Sequence, residues 1–312
     1  MSIYRHDLPL KSGHSFITDA GLETELVFRH GYDLPLFASF PLLGSDTGVA
    51  DIKHYYSHYI NIARQHHTGL VLEAPTWRAG TDWGQQLGYN ATELAGFNRQ
   101  AIELLEELRA QAQLSTPVVI SGCIGPRYDG YNPHRFMTAA QAEEYHTPQI
   151  KTFSTTNADL VTALTMTGID EALGITLAAR KLAMPVVISF TTETDGRLPS
   201  GESLQQAIET IDKQSHAYPF YYMINCAHPN HFQSELDSSR MWTKRIGGVR
   251  ANASCKSHAE LDESTELDSG NPKELGQQYR SLQRSLVNLH VIGGCCGTNH
   301  EHVEEMAVAC FG

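Results

Sequence analysis

The sequence predicts a closed (β/α)8 barrel, an α/β fold of the TIM-barrel type, as a single domain over residues 1–312. Eight short apolar runs alternate with longer segments of helical spacing from end to end. Several of the runs are continuously apolar, as expected of parallel strands buried on both faces. The open doubly wound sheet is the competing architecture. It lacks support, because no G-x-G-x-x-G follows the first run and no G-x-x-x-x-G-K-[ST] occurs.

The strand candidates are 16–20, 70–74, 117–122, 160–165, 186–191, 220–225, 246–251 and 289–293. The clearest helix runs over 90–112. Asn90 and Glu93 form a capping box, and Leu94, Phe97, Ala101, Leu104, Leu105 and Leu108 form an apolar stripe at three- and four-residue spacing. Thr138 with Gln141 opens another helix in the same way, and 168–183 and 203–214 are helical as well. Long loops are expected at 78–88 and 128–136, after the second and third strands, on the face where barrels build their sites. The acidic stretch 260–272 reads as a loop or insertion after the seventh strand.

Hydrophobic residues make up 41% of the chain and charged residues 19%, enough apolar material for a sizeable core. The net charge of −12 has the wrong sign for a nucleic-acid or anionic-membrane partner. The first residues carry no apolar signal core, and no run approaches the roughly 18 apolar residues of a membrane helix. A cytoplasmic, reducing compartment is the default expectation. There the six cysteines are thiols or metal ligands rather than a disulfide framework. The sequence leaves a homo-oligomer open.

The sharpest local signal is Gly293-Gly294-Cys295-Cys296-Gly297-Thr298, at the end of the eighth strand. A second is Asn225-Cys226-Ala227-His228, at the end of the sixth. Strand ends six and eight face one cleft, so Cys226, Cys295 and Cys296 can meet there. Three thiolates suit zinc, and a fourth tetrahedral position left open is the mark of a catalytic site that activates an incoming thiol. The alternatives are a vicinal Cys295–Cys296 disulfide and replacement of one sulfur by His228 or His231. Cys123, Cys255 and Cys310 read as small buried apolar residues.

These motifs resemble the zinc-dependent homocysteine S-methyltransferases, and the resemblance spans nearly the whole chain. Asp19-Ala20-Gly21-Leu22-Glu23-Thr24-Glu25-Leu26 is similar to the family's D-G-x-x-x-T-E-L. Gly125-Pro126 matches its G-P after strand three, and Ile188-Ser189-Phe190 with Asp195 and Gly201 matches its strand-five pattern. The resemblance implies a homocysteine-binding barrel, Zn2+ on Cys226, Cys295 and Cys296, and Asp19 facing the amino group of homocysteine. It also departs. Thr165 stands where the family has a glutamate, Glu73 stands where it has a small polar residue, and Asn252 lies in a seventh-strand loop of different sequence.

The candidate substrate residues are therefore Asp19, Glu73, Thr165, Asn225 and Asn252. Either Glu73 supplies the missing negative charge or the substrate differs, and its plainer role is an ion pair with Arg78, Arg127 or Arg250. Trp77 and Trp83 read as cleft walls, with a cage for a cationic methyl donor as the alternative. The implied reaction moves a methyl group from a sulfonium donor such as S-methylmethionine or S-adenosylmethionine to homocysteine, giving methionine. The rivals are alkyl transfer to or from another thiol or selenol, and a zinc- or thiol-binding barrel without turnover.

Overall fold

The computed structural model describes residues 2–11, 13–131 and 135–312. Eight parallel strands close in chain order into the expected barrel: β1 (Phe16–Ile17), β2 (Gly69–Glu73), β3 (Val118–Ile124), β4 (Leu160–Met166), β5 (Val186–Phe190), β6 (Tyr222–Asn225), β7 (Ile246–Ala251) and β8 (Val291–Gly294). The ring shuts where β1 pairs with β8, Phe16 opposite Val291 and Ile17 opposite Ile292. All eight runs seen in the sequence are strands, the seventh with the same bounds and the other seven with shifted ends. The first is shorter than its apolar run because the chain turns off the ladder: the Ala20 N–H donates to the Tyr55 hydroxyl at 3.1 Å rather than to a neighbouring strand.

The barrel interior is graded, and the two-residue period of a strand explains how. Val71, Val119, Leu160, Val187, Met223 and Val291 pack as one apolar cluster. Two positions further along the same strands stand Glu73, Ser121, Thr162, Ser189, Asn225 and Gly293. The same inward face therefore passes from a dry layer to a polar one at the C-terminal end. The polar layer is stitched together, Ser121 to Thr162 at 2.8 Å and Ser189 to the Asn225 side-chain oxygen at 2.6 Å. The opposite end is closed by the N-terminal segment. Leu8 and Leu10 join the dry layer. Buried Asp159 accepts from the Ile3 and Tyr4 N–H groups at 2.9 and 2.8 Å and pairs with Arg109 at 2.9 Å.

The helices surround this ring. Asn90 caps Ala91–Ala112 with the full capping box, and Thr138 does the same for Ala139–Ser154. Helices Ile169–Lys181 and Leu204–Ser215 fall on the expected segments. Asn90→Ala removes an acceptor for two backbone N–H groups and should cost about 1 kcal/mol. For a chain of this length that lowers the melting temperature by roughly 1–2 °C in a thermal scan. The sequence reading did not single out the helix Asp46–Gln65, whose Tyr55, Tyr56 and Tyr59 are all buried. The 78–88 segment, expected as a loop, contains the short helix Thr81–Gln86. Of the 128–136 loop, residues 132–134 lie outside the described residues. The acidic stretch is irregular between helices His258–Asp262 and Pro272–Ser285. Among the described residues no helix is long and apolar enough to cross a membrane.

Candidate active site

The polar layer opens into a cavity of about 430 Å³ at the C-terminal mouth of the barrel. Asp19, Glu73, Thr165, Asn225 and all three cysteines of the two motifs line it. The ligand atoms of Cys226, Cys295 and Cys296 lie within 4.8 Å of one another.

Two backbone features bring the sulfurs together. Cys226 has a left-handed backbone at φ 52, as does Thr165 at φ 62, so each side chain leaves the alternation of its strand. Such a conformation costs on the order of 1–2 kcal/mol in a non-glycine residue, and local hydrogen bonds hold it. The Cys226 carbonyl accepts from the Asn252 side chain at 3.1 Å, Thr191 at 3.3 Å and the His258 ring at 2.8 Å. On the other side, Gly21 lets the β1 end pass close to Cys295, since a Cβ there would sit 2.5 Å from the Cys295 carbonyl oxygen. Gly297, at φ 80, turns the chain directly after Cys296.

Asn225 joins the two halves. Its oxygen accepts from the Thr165 N–H at 2.8 Å, and its amide donates to the Thr165 hydroxyl at 2.9 Å and approaches the Cys295 sulfur at 3.8 Å. The Thr165 hydroxyl in turn lies 3.7 Å from the Cys226 sulfur. Asn252 does not line the cavity. It braces Cys226 from outside and contacts the Tyr131 hydroxyl at 3.4 Å.

Cys226 and Cys295 are joined as a disulfide with their Cα atoms 5.4 Å apart, and Cys296 is a free thiol. The sequence predicts thiols or metal ligands here, with a Cys295–Cys296 bridge only as the alternative, so this pairing differs from both. A disulfide and metal ligation by the same sulfurs exclude each other, so a three-thiolate donor set belongs to the reduced protein. That set fits zinc on chemistry and spacing. Three soft donors with Zn–S bonds of about 2.3 Å need sulfurs roughly 4 Å apart, a separation that Cys226 and Cys295 take up only once their bond is opened. Burial pushes the Cys296 thiol up to about 11, so it is protonated at neutral pH and would need a cation beside it to become a thiolate. The histidine alternatives are engaged elsewhere. His228 caps the helix Pro229–Phe232, and His231 bonds the Cys255 carbonyl at 2.9 Å.

Charge at the cavity floor is carried by Asp19, Glu73 and Arg250, with Glu23 beside them accepting from the Ser39 hydroxyl at 2.7 Å. Both Asp19 oxygens have internal partners: Arg250 at 2.8 Å and Thr18 at 2.8 Å on one, Tyr55 at 3.1 Å on the other. Burial opposes the Arg250 charge, but Asp19 and then Glu73 more than offset it, and the guanidinium is held charged. Asp19 takes the direct contact with Arg250 and Glu23 accepts from Ser39, which leaves Glu73. It is buried, and its Oε2 has no hydrogen-bond partner. Burial pushes its carboxyl above the usual range while Arg250 pulls the other way. Of the ion-pair partners considered for Glu73 from sequence, Arg250 is thus the one that acts on it.

Sequence reasoning missed Tyr55 and gave Arg250 only a minor role. Arg250 had a signal, a charged residue within the otherwise apolar and small run Ile246–Ala251. Tyr55 had none, since it is one of three buried tyrosines on its helix.

A parallel eight-stranded barrel with three cysteines gathered at its C-terminal mouth defines a class of barrel enzyme organised around sulfur. Residues 16–310 match the homocysteine S-methyltransferase family, and the chain belongs to it. Among solved structures, it is similar to the metallated form of the homocysteine methyltransferase MmuM from Escherichia coli, with a TM-score of 0.76 at 16% identity, covering 97% of this chain and 98% of that one. The oxidised form of the same protein matches with a TM-score of 0.75 at 16% identity and 95% coverage of each chain. Its apo form gives 0.69 at 15% identity, covering 97% and 98%. At such identity the likeness is one of fold.

Proposed function

We propose that this barrel transfers a methyl group from a sulfonium donor, of the kind represented by S-methylmethionine or S-adenosylmethionine, to the thiol of homocysteine, giving methionine. One observation carries the reading: three cysteine sulfurs and a buried carboxylate oxygen without a partner line the same cavity. Zinc held by Cys226, Cys295 and Cys296 would supply the chemistry of thiolate formation, lowering the pKa of an acceptor thiol into the neutral range.

The chain's own residues do the rest. Asn225 and Thr165 fix where the Cys226 and Cys295 sulfurs stand. Arg250 pairs with Asp19 and Ser39 donates to Glu23, so the floor carboxylate with an oxygen to spare is Glu73. An α-ammonium set against Glu73 forms a charge-assisted hydrogen bond in a desolvated site and restores the neutrality that burial favours. In this way Glu73, on β2, takes the role that the family gives to a glutamate at the Thr165 position on β4. Positioning acceptor and donor in one enclosed space supplies much of the remaining rate. With the acceptor held as a thiolate, its proton would pass to solvent on binding, and the sulfonium would leave as a neutral thioether once its methyl is transferred, so no side chain has to act as general base.

The departure at Thr165 favours one further outcome, a thiol or selenol acceptor other than homocysteine. Both are tested by one experiment. Reduced protein supplied with zinc is offered homocysteine and a panel of other thiols and selenols against several methyl donors, with products read by mass. Methionine formed with saturable dependence on homocysteine is the expected result. Bound zinc with no methylated product from any pair would reduce the protein to a metal- or thiol-binding barrel.

A further inference from the structure

Trp77 and Trp83 stand on the two sides of the Arg78 guanidinium, whose carbon lies 4.1 Å from one ring centroid and 3.7 Å from the other. Both indoles are tethered. Trp83 donates to the Pro126 carbonyl at 3.0 Å, and Trp77 reaches the Leu164 carbonyl at 3.5 Å. The aromatic pair that the sequence offered as a cage for a cationic donor is therefore already filled by a cation of the protein itself.

Arg78 is 6% exposed, and its Nε has no hydrogen-bond partner. Its ion pair with Asp129 is long, at 3.7 Å, and rests on a carboxylate that is 47% exposed. Its contact with the Tyr128 carbonyl stretches to 3.5 Å. Burial above all brings its pKa down to about 10, which still leaves it charged at neutral pH. A buried cation so weakly paired is costly to maintain. Stacking holds its plane but does not neutralise it. The flat fork of a guanidinium matches the two oxygens of a carboxylate. Arg78, Trp77 and Trp83 all line the cavity that holds Glu73 and the three cysteines.

We propose that Arg78, clamped between Trp77 and Trp83, is a carboxylate-binding side chain that anchors an amino-acid ligand in the cavity onto which the three cysteines open. This rests on the reading of that cavity as a methyl-transfer site and names its anionic subsite. The acceptor and a sulfonium amino-acid donor both carry a carboxylate, and the test separates them.

The chain has three tryptophans, two of them at Arg78, so intrinsic fluorescence reports arrival of a ligand there. Reduced, zinc-supplied protein is titrated with two pairs of ligands. One is homocysteine against 3-aminopropanethiol, and the other is S-methylmethionine against dimethyl(3-aminopropyl)sulfonium. The members of each pair differ in the carboxylate. Wild-type protein should prefer the carboxylated member of one pair by about 10- to 100-fold in Kd. Arg78→Met should reduce that preference to within about twofold and leave the other pair unchanged, which identifies the source of the carboxylate.

Arg78→Lys keeps the charge but loses the planar fork, and should retain only part of the preference. It carries the test if Arg78→Met does not fold. Zinc content and melting temperature close to wild type mark a variant as intact. No carboxylate preference in wild-type protein, or the same preference in wild type and the folded variants, overturns the proposal. Methyl transfer that persists with such indifference would leave the reaction standing without this subsite. Carboxylate discrimination through Arg78 in a protein that transfers no methyl group would leave the subsite standing without the reaction.

Discussion

Cys295→Ala protein, reduced and supplied with zinc, should fold as a barrel and bind the metal at least about 100-fold more weakly than wild type. Even outer partners of metal ligands are worth 10- to 100-fold, and a direct donor is worth more. Turnover should fall at least in proportion. The fold survives because Cys295 lies past the end of the β8 ladder; its N–H bond to the Ala251 carbonyl, at 2.9 Å, is made by the backbone and is untouched by the substitution. The check is metal content by elemental analysis together with a far-ultraviolet spectrum. Stoichiometric zinc in a folded variant would remove Cys295 from the donor set. The same logic predicts that wild-type protein kept oxidised, with Cys226 bonded to Cys295, takes up little zinc until a reductant opens the pair.

The barrel was legible because eight apolar runs of strand length alternate with helical stripes, and closure in chain order follows from short right-handed crossovers. The cysteines were legible because two adjacent thiols framed by glycines have no ordinary packing use. Glu73 stood out because it stands where the resembled family has a small polar residue. The rest depends on contacts between segments far apart in sequence, which periodicity does not encode. Nothing in the spacing says that Tyr55 reaches Asp19 across 36 residues, or that Asn252 braces Cys226 from behind. Trp77 and Trp83 looked like walls or a cage, and the occupant was invisible although it is the next residue after Trp77. Only the fold of the short helix Thr81–Gln86 swings Trp83 back over Arg78. The N-terminal plug was likewise hidden, since its partner Asp159 lies more than 150 residues away.

Glu73→Gln should separate recognition from architecture. The substitution keeps size and shape and removes the charge of the floor carboxylate whose Oε2 is unpartnered. If Glu73 receives the α-ammonium, the KM for homocysteine should rise about 10- to 100-fold, the worth of a hydrogen bond between charged groups. A simple alkyl thiol such as ethanethiol should change by less than about threefold, because it offers nothing to the carboxylate.

The pH dependence follows from the direction of the Glu73 shift. Burial raises its pKa, and the ionised form is the one that holds an ammonium. Affinity for the amino-acid thiol should therefore weaken as pH falls through a value above the ordinary glutamate pKa of about 4.3, and the glutamine variant should lack that limb. For stability the sign reverses. A carboxyl whose folded pKa is raised favours folding below its unfolded pKa, and that contribution is lost as pH rises through the folded one. At neutral pH the wild-type protein bears the cost of this buried charge, so Glu73→Gln should melt no lower than wild type while binding its substrate less well. If instead the variant melts several degrees lower and both thiols suffer equally, Glu73 is there to hold Arg250, and the ammonium must be received by another group.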